Sequence, residues 1–348
     1  MKKTLLRTTS LAALAMAISG SPASAKFEVG ISGYMEQWFG YSDSANSANP
    51  NSDVFDEVSD VLFAVEFSQD FENGIAVGGA IEVLGDQGAA DQIDGQSLYI
   101  EGSFGQLSVG TGDGASATMH LGAVSNGIGL DDGDASVWIA GADEALSITS
   151  ATSNIDGGAN KITYYSPRIN GLQIGASFMP DADDVDAVTP ATAGQEVDAR
   201  RDNSYSIAAH YERTMGDLTM SGSIGFMDAG GGVAGNETAL SGGIHLGFGG
   251  FMASFAYGEH EDDTAVSDKN IFGVSLAYSA KAAGVSVAYV RGEDSDTDDQ
   301  QDAFEVGASY SIGPGVTAST SLYYVERVTA GNTTADGLAV VGGLTLTF

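Results

Sequence analysis

Sixteen stretches of this chain alternate, residue by residue, between large apolar side chains and small or acidic ones, and their connections alternate between short and long. Successive side chains of a strand point to opposite faces, so such alternation defines a two-faced β-strand. Val61, Phe63, Val65 and Phe67 share one face, with Leu62, Ala64, Glu66 and Ser68 opposite. Ile75, Val77, Ile81 and Val83 oppose Ala76, Gly78, Ala80 and Glu82, and Phe251–Tyr257 and Phe304–Ile312 repeat the pattern. The stretches are 27–41, 59–70, 74–85, 96–103, 106–111, 160–166, 171–179, 203–213, 217–227, 238–247, 250–259, 269–279, 283–291, 302–311, 315–326 and 337–348. The links are short at 71–73, 104–105, 167–170, 214–216, 248–249, 280–282 and 312–314. They are long, and mostly acidic, at 42–58, 86–95, 112–159, 180–202, 228–237, 260–268, 292–301 and 327–336. Short turns at one end, long loops at the other and an even strand count are the signature of a membrane-spanning β-barrel.

The rest of the sequence is consistent with that and excludes several alternatives. No segment past residue 25 holds about 18 consecutive apolar residues, so a spanning helix is not expected; a spanning chain without one must close its hydrogen bonds in a barrel. Lys2, Lys3 and Arg7, the apolar run Leu11–Ile18 and Ala23-x-Ala25 have the layout of a cleaved export signal over 1–25, leaving 26–348 as barrel. Thirteen Lys and Arg against 47 Asp and Glu give a net charge of −34, which is hostile to nucleic acid. No cysteine is present, so disulfides, thiolate metal sites and a cysteine nucleophile are excluded. Hydrophobic residues make up 43% and mean hydropathy is +0.01, too apolar for an acidic disordered chain. No G-x-S-x-G, H-E-x-x-H or phosphate-loop motif occurs, and no enzyme is expected. Trp38 and Trp138 are expected to pack or to sit in an interfacial girdle, with Phe39, Tyr41, Tyr164, Tyr211, Tyr257, Tyr278, Tyr310 and Tyr324.

Asn160-Lys161-Ile162-Thr163-Tyr164-Tyr165-Ser166-Pro167-Arg168-Ile169-Asn170-Gly171-Leu172-Gln173-Ile174-Gly175-Ala176-Ser177-Phe178 resembles the YxSPxxxG hairpin of Gram-negative trimeric general porins, of the alphaproteobacterial type. Leu98–Gly110 resembles the hairpin before their third loop, and the terminal Phe348 fits the same layout. The resemblance implies an all-β, sixteen-stranded antiparallel transmembrane barrel whose third loop, 112–159, folds inward and narrows the lumen. It further implies passive diffusion of small hydrophilic solutes, a homotrimer, and an outer-membrane setting with lipid and lipopolysaccharide as neighbours.

The third loop carries Asp113, Asp131, Asp132, Asp134, Asp143, Glu144 and Asp156 and no Lys or Arg. The family commonly places arginines on the facing wall; here the first four strands have none, and their inward parity offers Glu28, Glu36, Glu66, Glu82 and Glu101. Acids on both sides predict a negative, cation-selecting opening. His210 and His245 fall on inward parity, where lumen water is expected around them. Arg168 and Arg213 fall at the short-turn rim, and Lys161, Arg291 and Arg327 near the long loops, where pairing with acids is expected. The acidic runs 181–186 and 293–299 lack the spacing of a calcium loop; Asp296, Asp298 and Asp299 are weak metal candidates, and loosely bound Ca2+ is the one cofactor left open. A sugar-specific channel, for which Tyr34, Tyr99 and Tyr165 are too few aromatics, and a secreted β-rich adhesin remain as alternatives.

Overall fold

The computed structural model describes residues 27–46, 52–85, 93–131, 134–150, 159–181, 202–230, 236–263 and 267–348. The expected signal segment, Asp132, Asp156 and most of the acidic loop after Asp181 lie outside the described residues. Sixteen strands follow in chain order: β1 (Glu28–Asn46), β2 (Ser52–Asp70), β3 (Ala76–Leu84), β4 (Ile93–Gly102), β5 (Gly105–Gly110), β6 (Lys161–Tyr165), β7 (Leu172–Asp181) and β8 (Asp202–Met215). β9 (Leu218–Asp228), β10 (Glu237–Phe248), β11 (Phe251–Asp262), β12 (Ser267–Ala280), β13 (Ala283–Asp294), β14 (Asp299–Gly313), β15 (Val316–Thr329) and β16 (Asn332–Thr347) complete them. Each strand pairs with its sequence neighbour, and β16 pairs antiparallel with β1 to close the barrel. At the seam Gly33 and Phe348 exchange backbone hydrogen bonds, each 3.0 Å.

Alternation sorts the two faces as the sequence implies. On β13, Val285 and Val287 are 54% and 51% exposed toward the lipid side, while Ser286 and Ala288 between them are 4% and 6% exposed. Aromatic rings gather near both strand ends: Phe248, Phe251, Tyr278, Tyr310 and Phe348 toward the short turns, and the Tyr289–Phe304–Tyr324 contacts toward the loops.

Several connections expected as long loops are largely strand. β1 and β2 run on to Asn46 and Ser52, and β15 turns into β16 through Ala330 and Gly331 alone. Beyond the lipid the outward face no longer has to be apolar, so Asp43 and Glu57 join the ladder without the alternation that marks a strand in the sequence.

The Ser-Pro hairpin owes its shape to Asn170 and Gly171, both at positive φ (52° and 92°), with Ile169 and Leu172 bonded reciprocally across them. That is the two-residue primed turn favoured by Asn-Gly. It puts Ile169 outward and Arg168 toward the lumen.

The third connection contains two single-turn helices, α1 (Ala115–Met119) and α2 (Asp134–Trp138), and a 3-10 turn, Glu144–Leu146. It lies inside the barrel. Its backbone N–H groups donate to inward serines on alternate strands: Ala115 to Ser177 (2.8 Å), Leu121 to Ser223 (3.0 Å), Val124 to Ser254 (3.1 Å), Asn126 to Ser286 (2.8 Å) and Ile128 to Ser321 (2.8 Å). Ala140 reaches Ser44 on β1 (3.4 Å). Between these serines the wall is cut back to glycine: a Cβ at Gly243 would lie 1.9 Å from the Leu121 carbonyl oxygen, and one at Gly307 2.5 Å from the Gly127 nitrogen. Leu130, Ala135, Trp138 and Ile139 of the loop then pack with Trp38, Ile271, Val290, Tyr323, Val325 and Val341 into an apolar core within the barrel.

Candidate functional site

The third loop thus runs along the inner face from β7 round to β1, and the lumen is left between it and the inner face of β2 to β5. That open wall is acidic by parity. Glu66, Glu82 and Glu101 all stand opposite outward apolar residues such as Phe63, Ile81 and Ile100. Glu66 accepts from the Ser32 hydroxyl (2.7 Å), Asp60 from the Tyr34 hydroxyl (3.2 Å), and Glu101 from the Gln106 amide (3.1 Å). Glu82 lies within electrostatic reach of Asp94, Asp113 and Glu66, so β2, β3, β4 and the start of the loop bring four carboxyls into one region. No Lys or Arg occurs between Phe27 and Asn160 to neutralise it. Lys161, where the loop rejoins β6, is buried and donates to the Gly112 carbonyl. Burial lifts the neighbouring Asp113 carboxyl to about 6; Lys161 works against the rise and Asp94 adds to it.

The other sequence-derived residues fall elsewhere, and four need correcting. Asp131 is buried and builds the loop: its carboxylate accepts from the amides of Thr149 (2.9 Å) and Ala123 (3.0 Å) and from the Thr149 hydroxyl (2.7 Å). Burial raises its pKa although all three bonds favour the charged form. Asp134 opens α2 and is buried with it. Asp143 caps the 3-10 turn through the Ala145 amide (3.0 Å) and pairs with Arg327 of β15 (3.0 Å). Glu36 points inward but is buried, accepting from Trp38 Nε1 and the Thr345 hydroxyl, each 3.2 Å. Asp113 stands with the acidic wall, and Glu144 is half-buried in the 3-10 turn. The carboxylates not taken up in the loop's own bonding therefore lie chiefly on β2–β4 and at Asp113. In a loop packed against protein, a carboxylate is more readily held by neighbouring amides than presented to water.

Two of the histidines likewise serve structure. His245 bonds the Gly122 carbonyl (2.8 Å) and His120 the Thr149 hydroxyl (2.8 Å). Burial, with His245 nearby, drops His120 to about 4, so it is neutral at physiological pH. Arg291 pairs with Glu293 (2.6 Å) and Asp302 (3.4 Å). Asp299 is taken by Arg327 and the Thr329 hydroxyl, which leaves Asp296 and Asp298 exposed on the turn without it. Among the described residues no cluster of His, Asp or Glu has the geometry to hold a metal ion.

Sequence reasoning missed Asp60 and Asp94 as wall acids, and it missed the serines, Gln301 and Glu305 as loop anchors. Gln301 accepts from the Asp143 amide (2.7 Å) and donates to the Ser147 hydroxyl (2.8 Å); Glu305 accepts from the Gly129 amide (3.1 Å). Their signal was available only as polar residues on inward parity far from the loop in sequence.

The Gram-negative porin family model matches residues 10–330. The chain belongs to the Gram-negative porin family. A comparison with curated proteins finds no match. Among solved structures it is similar to the anion-selective porin from Comamonas acidovorans, with a TM-score of 0.63, 14% identity and coverage of 93% of this chain and 100% of that one. OmpT of Vibrio cholerae superposes with a TM-score of 0.63 at 13% identity, covering 94% and 99%. A variant of the Rh. blastica porin gives 0.59 at 16% identity, covering 92% and 100%. This porin is accordingly a passive channel of the outer membrane, not an enzyme.

Proposed function

We propose that this porin passes small hydrophilic solutes by diffusion with a preference for cations, through a lumen lined on one side by Glu66, Glu82, Asp94 and Glu101. The acidic wall, facing a loop without a single Lys or Arg, carries this reading. A one-signed, narrow, water-filled path concentrates counter-ions and repels co-ions. The Comamonas porin is described as anion-selective; at 14% identity it shares the fold, and pore charge is set by individual side chains that such a likeness does not fix. Assembly as a homotrimer, as in the trimer form of OmpT, contact with lipopolysaccharide, and export through removal of residues 1–25 belong to the same proposal. Proteoliposome influx of choline should exceed that of the similarly small anion isobutyrate, with arabinose entering as well. Faster isobutyrate entry would remove the cation preference, and no arabinose entry would remove the diffusion channel.

A further inference from the structure

At the short-turn mouth, a cavity of about 750 Å3 opens along the ends of β2–β8, with α1 and the following residues above it. One side carries Asp70 and Glu101, both exposed. The other carries Arg168, which the Asn170-Gly171 turn directs inward, together with Gln173 and His210. Arg168 is held in place entirely by neutral groups: the Gly171 carbonyl (3.0 Å), the Gln173 side-chain oxygen (3.1 Å) and His210 Nδ1 (3.1 Å). A guanidinium only donates, so His210 Nδ1 accepts and the ring keeps its proton on Nε2. Three bonds among five N–H donors leave Arg168 with donors to spare, and its charge is not matched by any of these partners.

We infer that this cavity is a docking station for small zwitterions that carry separate carboxylate and ammonium groups, the carboxylate held by Arg168 and the ammonium facing Glu101 and Asp70. The inference rests on the chain being a diffusion channel. An anion alone would meet Arg168 with acids behind it, and a cation alone would meet the acids with Arg168 opposite. A solute with both charges satisfies both sides at once.

The test is block of KCl current through the full-length porin in planar bilayers by γ-aminobutyrate, compared with butyrate and butylammonium. γ-Aminobutyrate should half-block at the lowest concentration of the three. Because the groups are exposed and screened, Arg168→Gln and Glu101→Gln should each raise that concentration only about three- to fivefold. Arg168→Lys should restore part of the loss, and Arg213→Gln, at the rim outside the cavity, should change nothing. Equal block by γ-aminobutyrate and butyrate in the unaltered protein would overturn the site, whatever the variants do. So would block by γ-aminobutyrate that neither Arg168→Gln nor Glu101→Gln weakens. Absence of any KCl conductance would instead overturn the channel reading itself.

Discussion

The inner faces of β2–β5 and of β7–β16 share one parity rule and differ in what covers them. From β7 to β16 many inward residues under the third loop are serine, glycine or alanine, which give its amides hydroxyl acceptors and its backbone room. From β2 to β5, which the loop does not cover, the inward residues include Glu66 and Glu82, both half-buried, and the exposed Glu101. A serine or glycine under the third loop marks a contact with its backbone, whereas on the open side small residues such as Gly78 and Ala80 alternate with carboxylates. Burying a carboxylate is costly unless it is well bonded, so the two walls cannot exchange residues freely.

That contrast is broken most severely by emptying the loop's core. Trp138→Ala, which removes the ring seated beside Gly40 and Trp38, should cost about 3–5 kcal/mol. The cost should fall on the loop, seen as protease cleavage within 128–142 while the barrel itself stays resistant. Cleavage unchanged from the parent would mean that the core does not hold the loop. On the same wall, Ser254→Ala should cost about 0.5–1.5 kcal/mol, read as faster amide exchange at Val124 and not on β2–β5.

The open wall should answer in selectivity instead of stability. Glu66→Gln with Glu82→Gln should lower the cation-to-anion permeability ratio by about threefold, the scale of two charges in a focused field. Asp131→Asn should leave that ratio alone while loosening the loop around Thr149. If Asp131→Asn changes selectivity as much as the wall variant does, the division between the two walls is wrong. The smallest expected effect is on pH. With Asp113 lifted to about 6, lowering the pH from 7 to 5 protonates it and removes one negative charge from the opening. Cation preference should therefore fall through that interval by less than about twofold, and Asp113→Asn should flatten the step.

Strand existence, order and facing were legible because alternation and turn chemistry are local: Val285-Ser286-Val287 and Asn170-Gly171 each state their own structure. Strand ends past the lipid were not, since Asp43 and Glu57 pair without alternating. The acids of the third loop show the other limit. Asp131 and Asp113 look alike in sequence, and only the position of Thr149, Ala123 and Lys161 around them decides that one holds the loop and the other joins the wall. Trp138 and Gly40 likewise fit together across nearly a hundred residues, a contact no local pattern announces.

The proposed cation preference rests on wall acids whose own strands, β2 to β5, carry no Lys or Arg. It is tested most directly by the zero-current potential of the purified porin in a planar bilayer across a KCl gradient. The dilute side should become positive, as K+ outruns Cl− through the pore. A negative dilute side, with Cl− favoured, would contradict it and would mean that other charges govern the narrowest part of the path.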